Sequence, residues 1–147
     1  MTDKGATATP KFSVIIPAYN AEKFIHIAIQ SVQEQTINEW ELIIVENGST
    51  DNTTAVCEKF LNDKRIKLLH SEKGVSSARN KGISVATGTW IVFLDADDQL
   101  LSDALQKYME IEKECSPDLM IGEYEDKTVT YTCLLYTSPS PRDVEES

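Results

Sequence analysis

Trp90-Ile91-Val92-Phe93-Leu94-Asp95-Ala96-Asp97-Asp98 is an apolar run of five residues that ends in three carboxylates within four positions. The run reads as a strand buried on both faces, of the kind found in the middle of a parallel sheet. In such sheets ligands bind beyond the carboxyl ends of the strands, where these acids stand. Side chains alternate along a strand, so Asp95 and Asp97 lean the same way if the strand persists that far. Two unit charges about 6 Å apart repel by roughly 3 kcal/mol at an effective dielectric of ~20. Solvation, partial protonation or a divalent cation makes such a cluster tolerable. Carboxylate oxygens suit hard cations such as Mg²⁺ and Mn²⁺, whose remaining positions phosphates can fill. The competing reading is a polar strand-to-helix loop with one Asp as a helix cap.

Upstream, Phe12-Ser13-Val14-Ile15-Ile16 is a β-branched run stopped by Pro17, and reads as the first strand. Asn20 is placed to cap a helix over Ala21–Gln35, with Phe24, Ile27, Ala28 and Val32 on its apolar face. Glu41 to Val45 is a second buried strand, ending in the polar turn Glu46-Asn47-Gly48-Ser49-Thr50-Asp51. A second helix runs to about Asn62 and offers Val56, Phe60 and Leu61 to the core. Ile66 to Leu69 is a third strand, nearer an edge. Gly74 begins a third helix carrying Ala78, Ile83 and Ala86, with Gly88 as its C-terminal cap. Ser102 caps a fourth helix over Asp103–Glu114, and Leu119-Met120-Ile121 is a fifth strand. Strands alternating with helices imply right-handed crossovers and a mainly parallel α/β sheet covered on both faces. That topology brings Pro17 to Asn20, Glu46 to Asp51, the Lys73-Gly74 loop and Asp95 to Asp98 onto one rim.

The 147 residues suit one domain, and the 41% hydrophobic and 26% charged residues describe an ordinary globular protein. A net charge of -10 argues against a nonspecific grip on nucleic acid or an anionic membrane. Met1 to Pro10 is polar and small, without the features of a secretory signal, and is expected to be disordered. No segment approaches the ~18 apolar residues of a membrane span, so the expected location is cytoplasmic, or the inner face of the membrane if further regions bring it there. Cys57, Cys115 and Cys133 are odd in number and widely spaced, which suits reduced thiols rather than a zinc site. His26 and His70 are isolated and read as structural or surface residues.

Four stretches together resemble the family-2 glycosyltransferases, which have the nucleotide-binding GT-A fold: Val14-Ile15-Ile16-Pro17-Ala18-Tyr19-Asn20, Val45-Glu46-Asn47-Gly48-Ser49-Thr50-Asp51, Gly74-Val75-Ser76-Ser77-Ala78-Arg79-Asn80-Lys81-Gly82 and Phe93-Leu94-Asp95-Ala96-Asp97-Asp98. Each is weak alone; their order and spacing make the likeness. It covers roughly Phe12 to Glu125, within a domain taken as residues 11–126. The resemblance implies a nucleotide-sugar donor, most often a UDP-sugar, a divalent cation (Mn²⁺ or Mg²⁺) at the Asp-x-Asp element, a role in polysaccharide biosynthesis, and a glycan, lipid or protein acceptor.

Carried onto this chain, Asp97 and Asp98 are the implied metal ligands, and Asp95 faces the ribose or sugar. Pro17, Tyr19, Glu46, Asn47, Asp51 and Arg79 complete the implied donor site. Tyr19 either stacks on the base, worth ~1–3 kcal/mol if it behaves like other base–aromatic contacts, or packs under the sheet rim. Asn47 departs from the family, where a second Asp is common; it can still accept from a uracil N–H, without charge assistance. Asp51 contacts base or ribose, or else caps the second helix. Arg79 is within reach of the diphosphate, and Lys81 reads as a solvated side chain. Inverting members need a carboxylate base well downstream. Glu123, Glu125 and Asp126 are present, but none has the context for that role, so the catalytic base is unassigned.

Beyond Tyr124 the pattern fails. Thr128 to Thr132 can form a strand, but Cys133-Leu134-Leu135-Tyr136-Thr137-Ser138-Pro139-Ser140-Pro141-Arg142-Asp143 has neither helix nor strand logic. With allowed codons it back-translates into what looks like a transposase adapter from sequencing libraries. Residues 127–147 are therefore expected to be a non-family tail, disordered or appended artificially, and the donor half to be C-terminally truncated. A genuine linker is the alternative. Competing functions are an inactive nucleotide-binding fragment, a sugar-nucleotide pyrophosphorylase and a receiver domain. A pyrophosphorylase usually carries a Gly-rich loop after the first strand, where this chain has Pro17-Ala18-Tyr19-Asn20, and a receiver carries acids there, where this chain has none.

Overall fold

β1 (Phe12–Ala18) and β2 (Trp40–Glu46) are buried along their whole length, and the sheet is built outward from them. A computed structural model describes residues 10–115, 119–125 and 128–134 of the protein. The β-branched and aromatic residues of both strands suit a two-sided interior. They pair in parallel from Phe12 opposite Trp40 to Ala18 opposite Glu46. β3 (Ile66–His70) lies outside β2 and β4 (Trp90–Phe93) outside β1, all parallel, in the order β3-β2-β1-β4. The crossovers carry α1 (Ile25–Gln33), α2 (Thr53–Glu58) and α3 (Val75–Val85). This is the α/β architecture expected from the sequence. Ile15, Ile43, Val45 and Ala78 form a core between sheet and α3, with Leu69, Val85 and Ala86 packed against it.

A boundary between compact units falls between Ser102 and Asp103. The second unit contains α4 (Ala104–Cys115), β5 (Leu119–Glu125) and β6 (Thr128–Leu134). β5 is a strand as expected, but it belongs to a separate two-stranded sheet, paired antiparallel with β6 from Leu119 opposite Leu134 to Glu125 opposite Thr128. Cys133 and Leu134 are therefore strand residues, not the start of an irregular stretch. Met1 to Thr9, Asp126 and residues 135–147 lie outside the described residues, as do the side chains of Glu123 and Glu125. Among the described residues no helix is long and apolar enough to cross a membrane.

Several expectations are corrected. β4 borders the described sheet instead of lying within it, and Ile91 and Phe93 are 40% and 47% exposed. An apolar run reports burial, but only strand order says which strand has a neighbour on each side. Pro17 lies within β1 and does not end it. α1 starts later than expected, after a turn in which the amides of Phe24 and Ile25 bond the Ala21 carbonyl at 3.0 and 2.9 Å. The buried face of α1 is Ile25, Ala28, Ile29 and Val32, whereas Phe24 and Ile27 are exposed. α2 stops at Glu58 and buries Thr53 and Cys57, leaving Leu61 exposed. Burial pushes the Cys57 thiol up to about 12, helped by Glu46 and Glu58, so it is inert. On α3 the inward residues are Ala78 and Gly82, and Ile83 is exposed.

Gly88 is not the cap of α3, which Ala86 closes. Its amide donates to Ser13 Oγ at 2.8 Å, and a Cβ there would lie 2.8 Å from the backbone carbon of Phe12 and nitrogen of Ser13. Neither backbone atom can yield without disturbing β1. Gly88→Ala is expected to lower stability by about 1–3 kcal/mol, the usual cost of overpacking, seen as an earlier urea midpoint with an unchanged slope.

At the amino end of the sheet, buried Glu41 accepts from Ser13 Oγ at 2.6 Å, from Thr87 N and Oγ1 at 2.7 and 3.0 Å, and from Lys67 Nζ at 3.3 Å. Burial pushes this carboxyl up, but the hydrogen bonds outweigh it and hold it below the ordinary range. One side chain thus ties β1, β2, β3 and the turn before β4 together, at the end opposite the rim.

Candidate functional site

The rim is open where the chain reverses its direction of sheet growth, between β1 and β4. β4 pairs with β1 only as far as Ile15 opposite Phe93, whereas β1 continues beside β2 to Ala18. The carboxyl end of β1 therefore has a strand neighbour on the β2 side alone, and a cleft of about 460 Å³ occupies the gap. Such switch points are where parallel α/β sheets bind ligands. Pro17, Tyr19, Asn20, Ala21 and Phe24 line it from β1 and the turn after it, Asn47 from the loop after β2, Lys73 to Val75 from the start of α3, and Asp95 to Asp97 from the loop after β4. All four stretches expected on the rim contribute to it.

The acidic cluster is built by a turn, not by strand alternation. β4 ends at Phe93, and the Asp98 amide bonds the Asp95 carbonyl at 3.0 Å. The turn gathers one carboxylate oxygen each from Asp95, Asp97 and Asp98 within 4.8 Å of one another. Asp95 and Asp97 are exposed and Asp98 is half-buried. Burial, then the charges of Asp97 and Asp95, raise the Asp98 carboxyl above its ordinary value. A convergent all-oxygen set under mutual repulsion fits a hard divalent cation. Arg79, on α3, sits beside the cluster: its Nη2 lies 3.9 Å from Asp95 Oδ1 and its guanidinium 5.6 Å from the Phe93 ring centroid. The pair is exposed, so its attraction is at most about 1 kcal/mol.

The other end of the cleft is aromatic and amide. Tyr19 is 43% exposed, with the Lys73 ammonium 5.4 Å from its ring centroid. Asn47 is buried; its Nδ2 donates to the Gly74 carbonyl in a long bond of 3.4 Å, and its Oδ1 has no hydrogen-bond partner among the described residues. A buried acceptor without a partner is costly unless a ligand satisfies it. Gly74 reaches this position with a φ of 119°, open to glycine and strained for other residues.

Glu46 and Asp51 do not line the cleft. Glu46 is buried, accepts from the Ser49 amide and lies 3.1 Å from His70 Nδ1, so His70 is paired, not isolated. Burial raises its carboxyl, but Ser49 and His70 outweigh that and lower it. Asp51 accepts from the Thr53 hydroxyl and amide and from the Glu22 amide; the Thr53 hydroxyl is the largest cause of its lowered carboxyl. Short acids in turns take the nearest free N–H groups, and here they shape the loop that presents Asn47. Asn20 does likewise. Its φ of 48° is left-handed, its amide donates to Ser49 Oγ at 2.9 Å and its Oδ1 accepts from Thr50 N at 2.8 Å, so it joins two rim loops and caps no helix. Lys73 belongs to the loop expected on the rim but had no expected role, and Phe24 and Val75 were not expected to line the cleft. A single Lys in a polar loop and two apolar residues at helix starts carry no signal of their own.

A model of glycosyl transferase family 2 matches residues 13–128. Among curated proteins, the UDP-Glc:alpha-D-GlcNAc-diphosphoundecaprenol beta-1,3-glucosyltransferase WfgD of Escherichia coli is 40% identical over 115 residues, covering 77% of this chain and 45% of WfgD. Among solved structures, S. aureus TarS residues 1–349 in complex with UDP-GlcNAc is similar at a TM-score of 0.70 and 33% identity, over 74% of this chain and 32% of that one. The mannosyltransferase PcManGT of Pyrobaculum calidifontis, in complex with GDP-Man and Mn²⁺, aligns at 0.57 and 27%, over 63% and 29%. The chain spans 38% and 45% of the length of the first two curated relatives it matches.

Proposed function

Because the chain belongs to glycosyl transferase family 2, we propose that its rim cleft binds a nucleotide-sugar, a UDP-sugar, for transfer of the sugar to a hydroxyl acceptor. The observation that carries this reading is the meeting, in one cleft, of an aromatic face, an unpartnered buried amide oxygen and a carboxylate cluster. Tyr19 offers its ring to the base, and Asn47 Oδ1 accepts the uracil N3–H. Asp97 and Asp98 would hold a divalent cation, with Asp95 turned towards the ribose or sugar. When bound, that cation supplies charge neutralisation for the diphosphate, which makes UDP a better leaving group. Pro17 shapes the floor, and Arg79 steadies Asp95 at the diphosphate end. Glu46 and Asp51 act at one remove, by shaping the loop that carries Asn47. No described residue is assigned as the base that deprotonates the acceptor.

Calorimetric titration of the chain with UDP tests this. Affinity is expected to rise with Mn²⁺ by about tenfold or more, one step of ~1.4 kcal/mol. Equal affinity with Mn²⁺ and with chelator would remove the cation from the reading. No binding in either condition would remove the nucleotide site.

A further inference from the structure

Lys73 is the one cationic side chain that lines the cleft among the described residues. Arg79, the other cation nearby, lies against Asp95 and Phe93. The stem of Lys73 lies beside Gly48, where a Cβ would come within 3.7 Å of its Cγ, and its ammonium stands 5.4 Å from the Tyr19 ring centroid. No carboxylate pairs with it among the described residues. The next residue, Gly74, supplies the carbonyl that takes Asn47 Nδ2. One corner of the cleft therefore joins an aromatic face, an amide oxygen without a partner and an ammonium without a counterion.

The chemistry of that corner is directional. Uracil presents an N–H flanked by two carbonyls along one edge, so an acceptor and a cationic donor side by side complement it. Cytosine keeps the 2-carbonyl but presents a ring lone pair in place of the N–H and an amino group in place of the 4-carbonyl, so a donor placed at the 4-position tells the two apart. Asn47 Oδ1 would face the lone pair and Lys73 would face the amino group, both unfavourably. Turning the Asn47 amide over would suit cytosine's ring nitrogen but would set Oδ1 against the Gly74 carbonyl. Gly74 thereby fixes the sense in which Asn47 is read. Resting on the nucleotide-sugar reading above, we propose that Lys73 is a specificity-determining residue: its ammonium donates to the 4-carbonyl of the base on Tyr19 and, with the Gly74-oriented Asn47, selects uracil over cytosine.

The test uses the whole chain with Mn²⁺ present, and compares wild type with Lys73→Met, which keeps the stem and removes the charge. The ligands are UDP, CDP and uridine, the last titrated at millimolar concentration. Wild type is expected to prefer UDP to CDP by about tenfold or more, the scale of one charge-assisted hydrogen bond. K73M should lose about tenfold on UDP and a similar factor on uridine, with little change on CDP, while its melting temperature stays that of wild type. A loss on UDP but not on uridine would place Lys73 on the phosphates and overturn the inference. So would a K73M that binds UDP as wild type does. A wild type that binds neither UDP nor CDP would instead overturn the nucleotide-sugar reading on which the inference stands.

Discussion

Asp97→Ala should abolish the gain in UDP affinity that Mn²⁺ confers. Asp97 is exposed, lines the cleft and contributes one of three oxygens lying within 4.8 Å of one another. Of the two carboxylates that would hold the cation, its loss leaves Asp98 alone, too little to hold Mn²⁺ firmly against water. The sign of the effect without metal is the opposite. Two charges about 6 Å apart repel by roughly 3 kcal/mol at an effective dielectric of ~20, so removing one carboxylate eases the approach of the diphosphate. In chelator the variant should bind UDP slightly more tightly than wild type, by about threefold, allowing for solvent screening of exposed groups. With Mn²⁺ it should bind more weakly, by about tenfold or more. Calorimetry in both conditions reads this crossover. A variant weakened equally in both would show Asp97 touching the ligand directly, and the cation role would fall. Among the described residues no hydrogen bond of its side chain holds the fold, so the melting temperature should stay within a few degrees of wild type.

The second large effect concerns stability. Glu41→Gln is expected to lower stability at about pH 7 by roughly 3 kcal/mol, because hydrogen bonds to a charged acceptor contribute ~1.5–3 kcal/mol and an amide group sets a donor against donors. Its partners lie on separate elements: Ser13 on β1, Lys67 on β3, and Thr87 before β4. The pH dependence has a definite sign. The Glu41 carboxyl is lowered in the folded protein, so its contribution is fully present above the ordinary glutamate value. It is lost as pH falls through the lowered one. Wild type and E41Q should therefore differ in urea midpoint at about pH 7 and converge as pH falls through that lowered value. Asp51, Asp63 and Glu46 are lowered too, so wild type loses stability in acid through several groups. The convergence of the pair isolates Glu41. A difference that persists undiminished in acid would mean that packing, not charge, explains the loss.

The β-branched runs at Val14 to Ile16 and Leu42 to Val45 placed the strands, and their alternation with helices made the pair parallel. Periodicity placed helix faces less well. Ile27 and Ile83 belong to apolar patterns yet are exposed, because a short helix allows more than one apolar stripe to be drawn and only packing selects the one that is buried. Glycines were legible as breaks and not as contacts: Gly82 and Gly88 are needed because Ile15, Phe12 and Ser13 come close to them. In the site, the Asp95-Ala96-Asp97-Asp98 element was legible as an acid cluster, but its geometry was not, since a turn gathers it.

By itself the sequence determined the alternation of strands and helices and the four stretches that reach one rim. Those follow from hydrophobic burial and from right-handed crossovers, which local patterns encode. Only the tertiary structure decided what each polar side chain on the rim does. Asn47 keeps an oxygen free because Gly74, 27 residues away, takes its nitrogen. Asn20 joins loops through Thr50, 30 residues away. Glu46 turns to His70, 24 residues away. A hydrogen bond depends on where its partner arrives, and partners from distant stretches arrive only when the sheet has closed. The acids that the sequence made conspicuous at Glu46 and Asp51 became supports, while the inconspicuous Lys73 came to face the cleft.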